Sequence, residues 1–394
     1  MTLFHRRFPR GGRVSGAVRR AADSRGATGT VRRAADFRAA TLALIALLAV
    51  FLVAAACSST PASSRGTPGP TAPANACSPT TGAGATTYSG WPGGTNPIPA
   101  GDVIPSLVSS QLTVGPNRFL LTVVDKANKI LAAGNVPIDL RFFNLAKDPN
   151  TPTSSSAGIF MDNGAGLGLY RTTVTFDCSG DWGVEVTVHQ ASGDSTARVA
   201  FNVLSSTTTP AIGAPALKAD TPVATDAAGI AAISTDPQPD ADFYRLTITQ
   251  AITSGKPSLI VFATPAFCQT RTCGPTLQLI KTAAAPFKGQ VNMVHVEPYL
   301  MHQTSSGLQP VLDANGQLQI VPAVYIYGLQ NEPFTFVVDA AGKVSAEFEG
   351  IVGNDELTAA LQAVTGARGA TPGASTAPAG SPSTGAPSPA PSGS

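Results

Sequence analysis

The sequence predicts a mixed fold, an all-β sandwich followed by an α/β domain, set between segments that cannot build a core. Three observations carry that reading. Residues 105–204 alternate apolar and polar side chains with period two, residues 236–366 switch between apolar strands and helical spacing, and the flanking stretches are dominated by Ser, Thr, Pro, Gly and Ala.

The first 38 residues hold ten arginines and two aspartates, and Ala39 to Ala56 form an uncharged apolar run that ends at Cys57. A basic segment, an apolar segment and small residues before the cut make an export signal. Ala54-Ala55-Ala56-Cys57 resembles the cleavage box of bacterial lipoproteins. The resemblance makes residues 1–57 a leader and Cys57 the lipidated residue of a cell-membrane anchor on the extracytoplasmic side. An uncleaved transmembrane helix is the alternative, because about 18 apolar residues just span a bilayer. Either way the rest of the chain lies outside the cytoplasm, with the arginine-rich side inside. The leader carries +8 of a chain whose net charge is +2, so the remainder is about −6. That mildly acidic remainder lacks clustered Lys and Arg with interleaved aromatics, which argues against nucleic acid as a partner.

Residues 58–104 read as a flexible stalk and 367–394 as a tail of the same composition. Between them, Phe119–Val124, Val136–Phe142, Tyr170–Phe176, Val184–Val188 and Val199–Val203 are antiparallel strand candidates. Leu169-Tyr170, Phe176 and Gly180-Asp181-Trp182-Gly183 resemble the immunoglobulin-like modules of exported bacterial proteins, where a tryptophan opens the strand after a turn. Residues 105–204 are therefore expected to form an immunoglobulin-like sandwich. Gly164-Ala165-Gly166-Leu167-Gly168 is a hairpin loop, since no helix follows to hold a phosphate. His189 has no partner ligands nearby in sequence and reads as a surface residue.

Residues 205–235, rich in Thr, Pro and Ala, read as a second linker. A helix capped by Asp240 and reaching Ile252 then leads into the apolar strand Ser258–Phe262. Past Cys268 and Cys273, Thr276 to Phe287 has helical spacing and Val291–Val296 is the next strand, so the unit is βαβ and the two strands are parallel. A hairpin from Phe334–Asp339 to Lys343–Phe348 and a helix from Asn354 to Val364 complete the domain.

One of the five cysteines, Cys57, is assigned to lipid, which leaves an even set in an oxidising compartment. Sequence distance favours Cys268 with Cys273 and leaves Cys77 with Cys178, although four cysteines allow three pairings. A thiol at the mouth of a helix sits by orphan N–H groups and the positive end of the helix dipole, which favours thiolate chemistry.

Three features resemble the thioredoxin-like fold over residues 236–366: Phe262-Ala263-Thr264-Pro265 before Cys268, Cys273-Gly274-Pro275 after it, and Glu332-Pro333-Phe334 opening the hairpin. The resemblance implies that Pro333 is cis and faces the cysteines; Glu332, the residue before it, is a carboxyl that either raises the thiol pKa values or serves as a proton carrier. The resemblance also implies thiol–disulfide exchange, with exported proteins or a membrane redox protein as partners and no cofactor. The spacing departs from the family's C-x-x-C, and Phe267 stands where a tryptophan is usual. Which cysteine attacks stays open: Cys273 lies nearer the helix start and Cys268 is better exposed.

A binding module with a structural disulfide is the alternative function. Sco-type copper chaperones of the same superfamily add a histidine near the later hairpin, but Gly328–Pro333 contains none, and His295 and His302 do not match it by position. Thiolates suit Cu(I), so a copper-binding chaperone is the more remote alternative, and no metal ligands are assigned. Hydrolase elbows, zinc-protease motifs and Walker loops are absent from the sequence. Glu297, Asp313, Asp339, Glu347 and Glu349 are scattered singly and read as solvated surface.

Mass spectrometry of the mature N-terminus is expected to find a lipid-modified Cys57 as the first residue. An intact peptide spanning Ala56 and Cys57 would refute lipidation.

Overall fold

The computed structural model describes residues 76–77, 88–92, 103–162 and 168–366. Cys57, the leader, the tail and most of the loop 164–168 lie outside them. Among the described residues no helix is long and apolar enough to cross a membrane.

Eight strands make the first half: β1 (Ile104–Leu107), β2 (Gly115–Val124), β3 (Ile138–Asn144), β4 (Ser154–Ala157), β5 (Ile159–Met161), β6 (Leu169–Phe176), β7 (Gly180–Gln190) and β8 (Gly193–Val203). They form two antiparallel sheets, in the orders β1-β2-β6-β5 and β4-β3-β7-β8. Period-two patterning explains the sandwich. Trp182, Val184, Val186 and Val188 of β7 and Ala197, Val199, Phe201 and Val203 of β8 all turn inward. Phe119, Phe142, Phe176, Trp182 and Phe201 meet between the sheets, with Phe176 and Trp182 centroids 4.8 Å apart in an edge-to-face contact. The short strands β1, β4 and β5 carry too few alternating apolar residues to be read from sequence.

Part of the expected stalk packs on this sandwich. Cys77 is bonded to Cys178, with Cα atoms 5.0 Å apart, and Asn144 Nδ2 donates to both sulfurs at 3.2 and 3.1 Å. Trp91 is buried against Phe143, lies under the Arg198 guanidinium and donates to the Pro149 carbonyl at 2.8 Å. A disulfide and one large aromatic side chain anchor a stretch whose composition reads as low complexity.

The second half contains α1 (Ala227–Ala231), α2 (Ile248–Ile252), β9 (Ser258–Phe262), α3 (Cys273–Ala284), β10 (Asn292–Val296), β11 (Met301–Thr304), β12 (Gly307–Pro310), α4 (Pro322–Ile326), β13 (Phe334–Val338), β14 (Val344–Glu349) and α5 (Asn354–Thr365). Its main sheet has the order β10-β9-β13-β14, with β10 parallel to β9 and the other pairs antiparallel. Leu259 and Val261 face a core shared with Leu277 and Ile280 of α3 and Leu357 and Leu361 of α5. Ile260 and Phe262 face the other core, with Ile248, Tyr327 and Phe336.

Three segments differ from the sequence reading. Residues 205–235 pack on the second domain: Gly213 N and Ala216 N donate to the Val344 and Gly342 carbonyls, and Ala216, Ala219 and Ile230 are buried. Sparse apolar residues and backbone edge bonds hold a segment whose composition reads as linker. The helix expected from Asp240 to Ile252 is broken, because Asp240 caps only a 3-10 turn (Ala241–Phe243) and Thr247 restarts the chain as a capping box with Gln250. The hairpin β11–β12 and α4 were not anticipated.

Arg118 joins the two halves. Its guanidinium reaches the Glu356 carboxylate at 2.7 and 2.9 Å and the Glu349 and Ile351 carbonyls at 3.0 and 2.6 Å. Beside it, Leu120, Met161 and Leu169 pack on Ile351. Arg171 pairs with Asp355 on the same face. Removing one member of a largely buried ion pair strands the other charge and typically costs several kcal/mol. Arg118→Ala is therefore expected to lower unfolding free energy by about 3 kcal/mol and to split the calorimetric transition in two. A single transition at the native temperature would contradict the latch.

Candidate redox site at the start of helix α3

The middle of the sheet aims a loop at the helix start. Every residue of β9 is buried, and its last backbone bond is made just beyond it, from Ala263 N to the Val296 carbonyl at 3.1 Å. The chain then turns through residues 264–272 and enters α3 at Cys273. Arg271 takes a left-handed conformation, φ 61°, and its N–H returns to the Cys268 carbonyl. That fold-back closes a five-residue separation to a Cα–Cα distance of 5.9 Å, and Cys268 and Cys273 are disulfide-bonded.

The two sulfurs have different surroundings. Cys273 is fully buried, whereas Cys268 is half-buried and its Sγ accepts the Cys273 N–H at 3.2 Å. Thr272, the residue before the helix, makes no side-chain cap. Cys268 Sγ thus takes the place of a capping acceptor at the helix N-terminus. The Thr270 hydroxyl lies 3.2 Å from the same sulfur and 2.7 Å from the Thr272 hydroxyl.

Glu332 and Pro333 arrive from β13, and the peptide bond between them is cis. Glu332 is buried; Tyr299 O–H donates to its Oε1 at 3.0 Å and the Gln269 backbone amide also donates to it. Burial pushes the Glu332 carboxyl above the usual carboxylate range, and the two donors only partly offset this. Tyr299 is held above the usual phenol range by burial first and by the Glu332 charge second. Cys268, Cys273 and Glu332 place one ligand-type atom each within 4.8 Å of one another, two soft donors and one hard.

A buried polar chain supports the loop from behind. His295 is wholly buried, and desolvation drives its pKa down, so its ring is neutral. Nε2–H donates to the Ala263 carbonyl at 2.9 Å, which leaves Nδ1 to accept the Tyr244 hydroxyl at 3.0 Å, and Ser234 lies 2.9 Å from that hydroxyl. With both nitrogens taken, His295 does not join the cysteine cluster. Glu297 is also buried, contrary to its reading as solvated: Thr235 N and Oγ1 donate to it at 2.6 Å, and Thr235 Oγ1 in turn accepts the Ala266 amide at 3.1 Å.

The structure therefore brings Cys268, Cys273 and Glu332 together, with Pro333 joined to Glu332 by the cis bond, and places Cys77 and Cys178 in the sandwich. Sequence reasoning missed Tyr299, Gln269, Thr235 and Glu297. No motif marks them; the one available signal is a run of apolar strand, Val291–Val296, ending in polar residues beside the cysteine loop.

A scan against protein-family models and a search of curated proteins found no match. Among solved structures the chain is similar to a thioredoxin-family thiol:disulfide interchange protein from Chlorobium tepidum, at 18% identity over 38% of this chain and 99% of that one, with a TM-score of 0.23. The soluble domain of PmoD from Methylocystis matches at 18% identity over 28% of this chain and 97% of that one, TM-score 0.19. The PKD domain of human SorCS2 matches at 12% identity over 34% and 98%, TM-score 0.17. These TM-scores are low.

Because native Glu332 holds its proton more tightly than the unfolded chain does, the fold loses stability as pH rises from the ordinary carboxylate range through the raised value. Glu332→Gln removes that loss while keeping an acceptor for Tyr299. The variant's stability advantage is expected to grow by about 1.4 kcal/mol per pH unit across that window and to be flat below it. Urea melts over a pH series check this, and a pH-independent difference would contradict it.

Proposed function

We propose that this chain is a membrane-anchored, extracytoplasmic, thioredoxin-like protein that exchanges disulfides through Cys268 and Cys273. The observation that carries the reading is the Cys273 N–H bond to the half-exposed Cys268 sulfur, beside a buried carboxyl on a cis-proline strand.

In the reduced protein the helix N-terminus stabilises negative charge on Cys268, which makes it the attacking thiolate. Its sulfur displaces one sulfur of a partner disulfide, so a mixed disulfide forms and one partner thiolate leaves. Glu332, as the carboxylate, then takes the Cys273 proton. The Cys273 thiolate attacks Cys268 Sγ, closes the observed bridge and releases the second partner thiolate. The partner gains two electrons and the dithiol loses them; the reverse sequence oxidises a partner dithiol. Glu332 suits the second step because its raised pKa lies closer to that of a thiol than an ordinary carboxylate does.

Two details support this order of events. Cys273 is shielded from any partner by its burial, so it acts only within the protein. Cys268 lies in the loop with exposed Gln269 and Thr270 on its C-terminal side, where a partner reaches it.

Insulin reduction with dithiothreitol tests the reading. Cys268→Ser is expected to fall to background, and Cys273→Ser to accumulate a mixed disulfide with insulin, visible on non-reducing gels. Activity unchanged by either substitution would mean that the bridge is structural.

A further inference from the structure

We propose that, once its bridge is reduced, the Cys268, Cys273 and Glu332 cluster is a zinc(II) site that takes the dithiol out of exchange. Like the exchange reading, this rests on a bridge that opens; it adds the ion that then holds the two sulfurs.

Donor type and spacing select the ion. Cys268 Sγ, Cys273 Sγ and a Glu332 carboxylate oxygen lie within 4.8 Å of one another, and Cys273 and Glu332 are buried. A tetrahedral zinc with Zn–S near 2.3 Å and Zn–O near 2.1 Å needs such atoms about 3.6–3.8 Å apart. Reduction frees Cys268, a loop residue, to draw its sulfur away from Cys273 on the helix to that spacing. Zinc takes thiolate and carboxylate oxygen alike, whereas Cu(I) is served by the sulfurs alone and calcium or magnesium by oxygens.

Glu332 is the residue that asks for a cation. It is 7% exposed, and the groups acting on it among the described residues are the Tyr299 O–H and the Gln269 N–H, both neutral. Buried Asp236 and Glu185 show the usual arrangement instead, the first paired with Lys281 and the second with Arg141 and Arg198. A dication held by two thiolates supplies Glu332 with the counter-charge that no Lys or Arg provides. The supporting contacts are already in place. Tyr299 and Gln269 orient the carboxyl, while the Cys273 N–H and the Thr270 hydroxyl, each 3.2 Å away, hold the Cys268 sulfur.

Opening the bridge takes two electrons from a phosphine or thiol reductant and two protons. Zinc then displaces both thiol protons, binds the two sulfurs and the carboxylate, and leaves a fourth position for water. With its sulfur on zinc, Cys268 no longer attacks a partner disulfide.

Anaerobic titration of the phosphine-reduced full chain with zinc chloride, in competition with a chromophoric chelator, tests the site once thiol counting shows the bridge open. One zinc per chain is expected, weakened at least about tenfold by Glu332→Gln and cut by Cys268→Ser to the background of the other cysteines. A thermal melt verifies the fold of Glu332→Gln. If that variant does not fold, alkylation of native Cys268 by iodoacetamide carries the test, and zinc is expected to slow it at least about tenfold. No zinc on the reduced native chain, equal affinity in folded Glu332→Gln, or alkylation unchanged by zinc overturns the proposal. Insulin reduction separates the two readings: its survival without zinc binding overturns the zinc site alone, its absence with zinc binding overturns exchange alone, and a bridge that stays closed overturns both.

Discussion

The central strand β9 is the constraint on which the second domain depends. It is buried at every residue and bonded on both sides, parallel to β10 and antiparallel to β13, so neither of its ends can drift. Its register opposite β13 pairs Phe262 with Phe334. The cysteine loop therefore leaves the sheet where Glu332 and Pro333 enter it. Backbone pairing, rather than any contact between the functional side chains, brings the carboxyl to the sulfurs.

The two cysteines of the loop then differ in their surroundings. Cys268 gains a helix-start N–H and access to solvent, whereas Cys273, fully buried, gains only the nearby carboxyl. A left-handed Arg271 folds the extended spacing back over the helix mouth. Such a conformation costs about 1–2 kcal/mol for a residue with a Cβ. The disulfide and the Arg271 N–H bond offset it.

Much of this was legible in the chain. Period two over 105–204 gave the long strands because each has one buried face, and the βαβ pattern gave the parallel pair because apolar runs and helical spacing alternate cleanly there. The cysteine bridges followed from sequence distance. What stayed hidden depends on tertiary burial: Trp91 and Ile230 are single apolar residues in tracts of linker composition, and Glu297 looks solvated until Thr235 covers it, while Glu347 and Glu349 come to lie half-buried at the domain boundary. Tyr299 was invisible for the same reason, because its value lies in reaching Glu332 across 33 residues of chain.

Residues 331–334 serve two places at once. Asn331 holds Glu349 at the domain boundary, Glu332 stands by the sulfurs, and Phe334 walls a cavity at that boundary. Consecutive residues thus tie the domain boundary and the cysteine loop to one stretch of backbone. Equilibrium linkage is reciprocal, so anything that occupies the boundary with a preference between dithiol and disulfide forms must itself be held with a strength that depends on the oxidation state.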